Sequence, residues 1–216
     1  PGLDWARNRA ALEARGEIVA YTDDDVAVDE GWVAALARVF AENPAVMCVT
    51  GLVVPYELDT EAQVLFETYG GFGRGYRRRW YGVDARGGEL AGFSMAGAGK
   101  FGTGANMAYR RSLFDRIGFF DPALDVGTVT NGGGDLEMFF RTVKEGHVLV
   151  YEPSAIVRHR HRREYAKLRT QIANNGVGFY AHLVRCAAHY PEERAGIARL
   201  GAWWFAEWSL GRLVKS

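Results

Sequence analysis

The spacing of apolar and polar positions switches period several times along this chain, and each switch marks an element. Asp4 to Arg15 is helical in pattern and rich in Ala and Arg, with Gly16 expected to end the helix. Glu17 to Thr22 is a short β-prone run that stops at Asp23-Asp24-Asp25. Asp29 can cap a helix from Glu30 to Glu42, halted near Asn43-Pro44. Ala45 to Val54 is a continuous apolar run of strand length, closed by Pro55. This order of helix, strand, helix and strand predicts an α/β layer with parallel pairing.

Further along, Glu61 to Tyr69 predicts a short helix. Gly70 to Gly104 is Gly-rich, aromatic and basic with no clear period, and loops of that length inside a domain are more often functional or mobile. Ala105 to Tyr109 predicts a strand leading into a helix over Arg111 to Ile117. Gly118 to Gly134 reads as loop, Asp135 to Glu145 as helix and His147 to Tyr151 as strand. Arg163 to His189 is helical, with Asn174-Asn175-Gly176 as an expected weak point. Pro191 breaks the pattern, and Glu192 to Leu213 is a last amphipathic helix.

Composition narrows the class. The 216 residues suit one domain, or one with an appendage. At 48% apolar and 24% charged the chain can bury a sizeable core, which excludes disorder, collagen and coiled coil as whole-chain readings. The 26 Lys and Arg balance 26 Asp and Glu, so no global basic field draws in nucleic acid, and none is expected as a partner. The charge is nevertheless uneven: acidic at Asp23 to Asp25, basic at Arg77 to Arg79 and at Arg158 to Arg163. Cys48 and Cys186 have neither metal nor disulfide spacing, which predicts a reducing compartment. No run of about 18 apolar residues predicts a membrane-spanning helix, and no signal peptide pattern opens the chain. The chain starts inside a helix pattern without Met and stops soon after Leu210, so a fragment at both ends is expected.

Four local features could carry chemistry. Thr22-Asp23-Asp24-Asp25-Val26 ends a strand, where ligands bind in open α/β sheets. Adjacent carboxylates repel unless a cation joins them, and Asp23 and Asp25 share a face if the chain is extended. Two hard oxygen ligands suit Mg²⁺ or Mn²⁺, which would also hold a diphosphate; the plain alternative is an acidic surface turn. In Asn131-Gly132-Gly133-Gly134-Asp135 the glycines allow a ligand to approach closely and Asp135 stands at a helix start, although capping alone explains an Asp there. Arg158-His159-Arg160-His161-Arg162-Arg163 sets His159 and His161 on one face, with arginines suited to phosphate; a solvated basic turn is the alternative. Gly102-Thr103-Gly104-Ala105-Asn106 is a small-residue turn with one amide that could line a sugar pocket, or be a plain turn.

Taken in order, these segments resemble glycosyltransferase family 2 over about residues 2 to 180. Ala6-Arg7-Asn8 followed by Glu17 to Val26 is similar to that family's helix, strand and DxD segment. Gly104 to Arg111, followed by Gly118-Phe119-Phe120-Asp121, is similar to its acceptor-side segment. Gly134-Asp135-Leu136-Glu137-Met138 with Arg141 is similar to its catalytic acid-pair segment, and Pro153 to His159 to its late histidine segment. Two departures stand out. The family often has Glu-Asp where this chain has Gly134-Asp135. The family's first strand and base-binding acidic residue are also expected before Pro1, so the fragment alone is expected to be incomplete.

The resemblance implies a GT-A-like, Rossmann-related mixed sheet flanked by helices, with C-terminal helices. Residues 1–160 would be a partial catalytic domain and 161–216 a helical extension. It implies metal-dependent, inverting transfer of a sugar from a nucleotide-diphosphate donor to an acceptor hydroxyl. Asp25, Asp23 and His159 would hold a divalent metal, Mn²⁺ or Mg²⁺. Asp23, Asp24, Asp25, Arg162 and Arg163 would face the donor diphosphate, and Asp135 would act as base. Gly104, Asn106 and Trp80 would face a carbohydrate or lipid-linked acceptor. The setting would be polysaccharide or cell-envelope synthesis in the cytoplasm, at the inner face of the membrane. Aromatic residues Trp203, Trp204 and Trp208, flanked by Arg199, Arg212 and Lys215, would permit peripheral membrane contact, which liposome co-sedimentation tests. Two alternatives are a metal-dependent nucleotidyl or phosphoryl transferase, which normally needs a Gly-rich loop with Lys that is absent here, and a non-catalytic carbohydrate- or partner-binding module.

Overall fold

The computed structural model describes residues 2–82 and 97–210. The part of the expected Gly70 to Gly104 loop from 83 to 96, and residues 211–216 with Arg212 and Lys215, lie outside the described residues, as does the side chain of Trp208.

Helix α1 (Leu3–Glu13) leads into β1 (Ile18–Thr22) and β2 (Val26–Val28); α2 (Trp32–Glu42) and β3 (Val46–Pro55) follow. Next come α3 (Glu61–Thr68), β4 (Arg79–Tyr81), β5 (Asn106–Arg110) and α4 (Ser112–Ile117). The chain then forms α5 (Gly134–Lys144), β6 (Val148–His159), α6 (Tyr165–His189) and α7 (Arg194–Trp204), and ends its described part in a π-helical turn, Phe205–Leu210. Among the described residues no helix is long and apolar enough to cross a membrane.

The sheet is mixed, in the order β1-β5-β3-β6-β2, with β4 also on β6. β1 and β3 run the same way, as the sequence pattern predicts, but they are not neighbours. Antiparallel β5 lies between them, and among the described residues the one parallel pair of the sheet is β3 with β6. The continuous apolar run of β3 follows from this central place, since both its faces are buried.

Two apolar layers cover the sheet. On one side α2 packs Trp32, Leu36, Val39 and Phe40 against Val49, Val53, Ala108 and Val150. On the other, α5 packs Met138, Phe139 and Phe140 against Met107, Tyr109 and Leu149. Strand alternation sends Met107 and Tyr109 to one layer and Ala108 to the other. Met47 and Cys48 break the alternation and share a layer, because the β3–β6 register shifts between Val46 and Cys48. The helices after residue 160 add Leu183, Cys186, Ile197 and Leu200 to the same layer as α5, so they share the sheet's core. Cys48 and Cys186 are both free and buried.

Three local expectations change. Helix α1 stops at Glu13 and Ala14 is already extended, so Gly16 is not its cap. The strand expected at 147–151 continues to His159 as one long β6. Helix α6 runs unbroken through Asn174-Asn175-Gly176. Glycine inside a helix costs about 1 kcal/mol relative to alanine, and burial of Leu168, His182, Leu183 and Cys186 along the same helix outweighs it.

Candidate active site

The acidic triplet forms the turn between β1 and β2. Strand β2 pairs with the end of β6, setting Val26 opposite His159, and Arg160 N donates to the Asp25 carbonyl at 2.9 Å. This ladder brings Asp25 Oδ1 to 3.3 Å from His159 Nε2. Asp23 joins them: one ligand atom each from Asp23, Asp25 and His159 lies within 4.8 Å of the others. The convergence comes from the tight turn rather than from strand alternation, and Asp24 at its tip is exposed.

Burial pushes the Asp23 carboxyl up; Arg7 opposes the shift, and Asp25, Asp135 and Asp24 add to it. Burial likewise pulls the His159 imidazole down, with Asp25 opposing and His161 and Arg162 adding. A neutral imidazole beside two crowded carboxylates is a donor set that a hard divalent cation fits.

Behind His159 runs a chain of side chains. His159 Nδ1 lies 3.1 Å from His161 Nδ1, and His161 Nε2 lies 2.8 Å from Glu67 Oε1. Both imidazoles are buried. One tautomer set satisfies every member: His159 Nδ1–H donates to His161, His161 Nε2–H donates to Glu67, and His159 Nε2 keeps its lone pair for a cation. Helix α3 delivers Glu67, and a capping box fixes where that helix starts. Thr60 accepts from Gln63 N while the Gln63 side chain accepts from Thr60 N. The same Gln63 side chain donates to the His161 carbonyl at 3.4 Å, tying α3 to the end of β6.

Asp135 enters from α5. Its Oδ2 accepts from Gly104 N at 2.8 Å and its Oδ1 from Leu136 N at 2.9 Å. The carboxylate is only partly buried and keeps lone pairs for a further donor. The loop before it needs glycine. Gly133 has φ of 105°, and a Cβ there would meet the Gly178 carbonyl oxygen of α6 at 2.5 Å. Gly133→Ala is therefore expected to destabilise the fold by about 2–4 kcal/mol, combining left-handed strain with overpacking. A thermal melt checks this, and an unchanged midpoint contradicts it.

Arg7 links the two halves. It is buried on α1 and paired with Asp4 at 2.9 Å, and the charges of Asp135, Asp4 and Asp23 all favour its cationic form against burial. The neighbouring Asn8 clamps the loop after α4, donating to Phe120 O at 2.8 Å and accepting from Phe120 N at 2.9 Å. Sequence gives Asp4 and Glu67 no role, and Arg7 enters only as part of Ala6-Arg7-Asn8, without a function of its own. The Asp4–Arg7 spacing of three on a helix was the one available signal.

The remaining expected residues divide. Arg162 lies 3.8 Å from Asp25 Oδ2 with half its side chain exposed, so it reaches the acidic turn. Arg163 turns instead to Asp59 at 3.1 Å and Glu57 at 3.6 Å. Gly104 faces Asp135 through its N–H. Asn106 is fully buried: its Nδ2 donates to Leu52 O and Ala155 O, and its Oδ1 accepts from Trp32 Nε1. Both amide donors are spent on the core, so Asn106 braces the sheet and does not offer itself to an acceptor. Trp80 packs against the α2 layer opposite Val150, whereas His159 pairs six residues further along β3. At about 3.3 Å per residue that separates Trp80 from the acidic turn by roughly 20 Å, so it lies away from the metal-type cluster.

Comparison with known proteins gives these residues a family. The probable N-acetylgalactosaminyltransferase 6 of Caenorhabditis elegans is 27% identical over 165 residues, covering 75% of this chain and 26% of that protein. The polypeptide N-acetylgalactosaminyltransferase 11 of Xenopus tropicalis is 30% identical over 169 residues, covering 76% and 27%. The chain thus spans about a quarter of the length of these curated relatives. Among solved structures, GalNAc-T7 with UDP, GalNAc and Mn²⁺ overlays at 20% identity and a TM-score of 0.48, covering 76% of this chain and 31% of the other. Mannosyltransferase PcManGT from Pyrobaculum calidifontis, in complex with GDP-Man and Mn²⁺, overlays at 18% identity and a TM-score of 0.45, covering 94% and 60%. The family model described as Glycosyl transferase family 2 matches residues 1–118. That span takes in Arg7, the acidic turn and Gly104, more than half of the sequence, and so the chain belongs to glycosyl transferase family 2.

Proposed function

We propose that this chain carries the metal and base residues of an inverting glycosyl transfer from a nucleotide-diphosphate sugar. The observation that supports it most is the meeting of Asp23, Asp25 and His159, drawn from two distant segments, with their ligand atoms within 4.8 Å. Mn²⁺ or Mg²⁺ held there would neutralise the charge growing on the departing diphosphate. Arg162, half exposed beside the acidic turn, adds a second positive charge that can face the phosphates. Asp135, oriented by the Gly104 and Leu136 amides, takes the proton from the acceptor hydroxyl as that oxygen attacks the anomeric carbon. Attack opposite the leaving diphosphate inverts the anomeric centre and needs no covalent intermediate.

The acceptor belongs to the carbohydrate or lipid-linked glycan class. Exposure of Trp203 and Phe205 at the end of the described chain supports contact with a membrane surface. The reaction class is tested by incubating the full-length protein with UDP- and GDP-sugars, UDP-N-acetylgalactosamine first, in the presence of Mn²⁺. Release of nucleoside diphosphate supports the proposal; release of pyrophosphate, or no release from any donor, contradicts it.

The histidine chain yields its own expectation. His161→Ala should raise the Mn²⁺ dissociation constant by about 10–100-fold, the usual cost of losing the group that orients a metal-binding imidazole. Glu67→Gln should raise it less. Calorimetric titration giving an unchanged constant for both variants removes the chain from metal binding.

A further inference from the structure

Position 134 is glycine because another residue's carboxyl group occupies its side-chain space. A Cβ built on Gly134 would stand 1.9 Å from Asp4 Oδ2, 2.7 Å from its Cγ and 3.0 Å from its Oδ1. Asp4 comes from the first turn of α1, far away in sequence, and is 1% exposed. This is the position beside Asp135 where the chain departs from an acidic pair.

A carboxylate that deep needs partners, and Asp4 has one. Arg7 Nη1 donates to Asp4 Oδ1 at 2.9 Å. The Asp4 amide is held separately, donating to Asp125 Oδ1 at 3.1 Å. The other end of the guanidinium borders the same space as Asp135, whose charge favours the cation. A Cβ on Gly104 would lie 2.5 Å from Arg7 Nη2 and 3.1 Å from Asp135 Oδ2, so both groups close on that one point. Burial raises the Asp4 carboxyl to about 6, with Arg7 opposing and Asp135 and Asp125 adding to the rise. It is therefore mostly ionised at neutral pH. Between its ordinary range and about 6 the folded chain binds a proton that the unfolded chain has released, so this group lowers stability as pH rises through that window.

We propose that Asp4 is a positioning residue that supplies, from α1, the carboxylate missing at position 134, and that it holds the Arg7 guanidinium between Asp135 and Asp23. The inference rests on the reading of Asp135 as base. Without Asp4 the buried guanidinium loses its hydrogen-bonded anchor and is drawn toward Asp135, the carboxylate whose charge acts on it most strongly. That engages a lone pair that Asp135 would offer the acceptor hydroxyl and slows transfer, while donor binding at the acidic turn persists.

Moving the carboxylate tests this. Full-length Asp4→Ala, Asp4→Asn, Gly134→Asp and the double variant Asp4→Ala/Gly134→Asp are compared in thermal melts. Nucleoside diphosphate release is measured on the same variants with Mn²⁺ and the UDP- or GDP-sugar that the parent turns over fastest. Asp4→Ala and Asp4→Asn should lower kcat on the order of 10- to 100-fold with little change in donor KM, as misplacement at a reacting centre does. Gly134→Asp alone should melt well below the parent, since two carboxyl groups then compete for one space. The double variant should melt above Gly134→Asp and regain most of the kcat. Parent-like kcat in both Asp4 variants overturns the proposal, as does a double variant whose losses simply add. Asp135→Asn assayed in parallel separates the two claims. If it stays active, the base reading fails, while the melts still judge the exchange between positions 4 and 134.

Discussion

Asp135→Asn in the full-length protein is expected to lower sugar transfer by about 10²–10⁴-fold, the usual contribution of a general base. Donor and metal binding should stay near the parent's. The substitution keeps the side chain's shape, and the Asn oxygen still accepts one of the two amide hydrogen bonds, from Gly104 or Leu136. What disappears is the ability to accept the acceptor's proton. The metal-type cluster at Asp23, Asp25 and His159 does not include this residue. A KM for donor close to the parent's, together with the collapse of kcat, is therefore the signature. Substantial residual turnover would take the role of base away from Asp135.

The second large effect belongs to the acidic turn. Asp25→Ala should weaken Mn²⁺ binding by on the order of 100-fold or more, beyond what loss of an orienting neighbour costs. Metal-dependent donor binding should fall with it. Asp25 is the hinge of the cluster: one oxygen lies 3.3 Å from His159 Nε2 and the other 3.8 Å from Arg162 Nη1. Its removal strips a ligand and frees the arginine together. Asp24→Ala is the internal control, because Asp24 is exposed on the same turn and outside the cluster. Equal calorimetric titrations for parent and Asp25→Ala would sink the metal assignment.

Much of this was legible from residue order. The runs giving α2, β3, α3, β5 and α5 carry strong period signals, and their ends lie within a few residues of the pattern. Pairing was less legible. A strand's residues state that it is buried on both faces but not which strand lies beside it, so the insertion of β5 between β1 and β3 could not be read. The acidic turn and His159 were visible because unpaired carboxylates and adjacent basic residues are costly without a partner. Asn106 misled because an amide in a loop-like setting looks the same whether it faces solvent or core. Burial decided it: the Asn106 amide is spent on Leu52, Ala155 and Trp32. Asp4 was hidden for the opposite reason. An acidic residue in the first turn of a helix is ordinary, and only the fold shows its carboxyl filling the space of Gly134.

In the proposed reaction Asp23, Asp25 and His159 hold a divalent cation that makes a nucleotide sugar reactive toward an acceptor deprotonated by Asp135. The most direct measurement is the rate of nucleoside diphosphate release by the full-length protein from its best donor, after chelation and again after Mn²⁺ is restored. Release should vanish on chelation, return with Mn²⁺, and fail to return in Asp25→Ala. Release at the same rate with and without metal would contradict it.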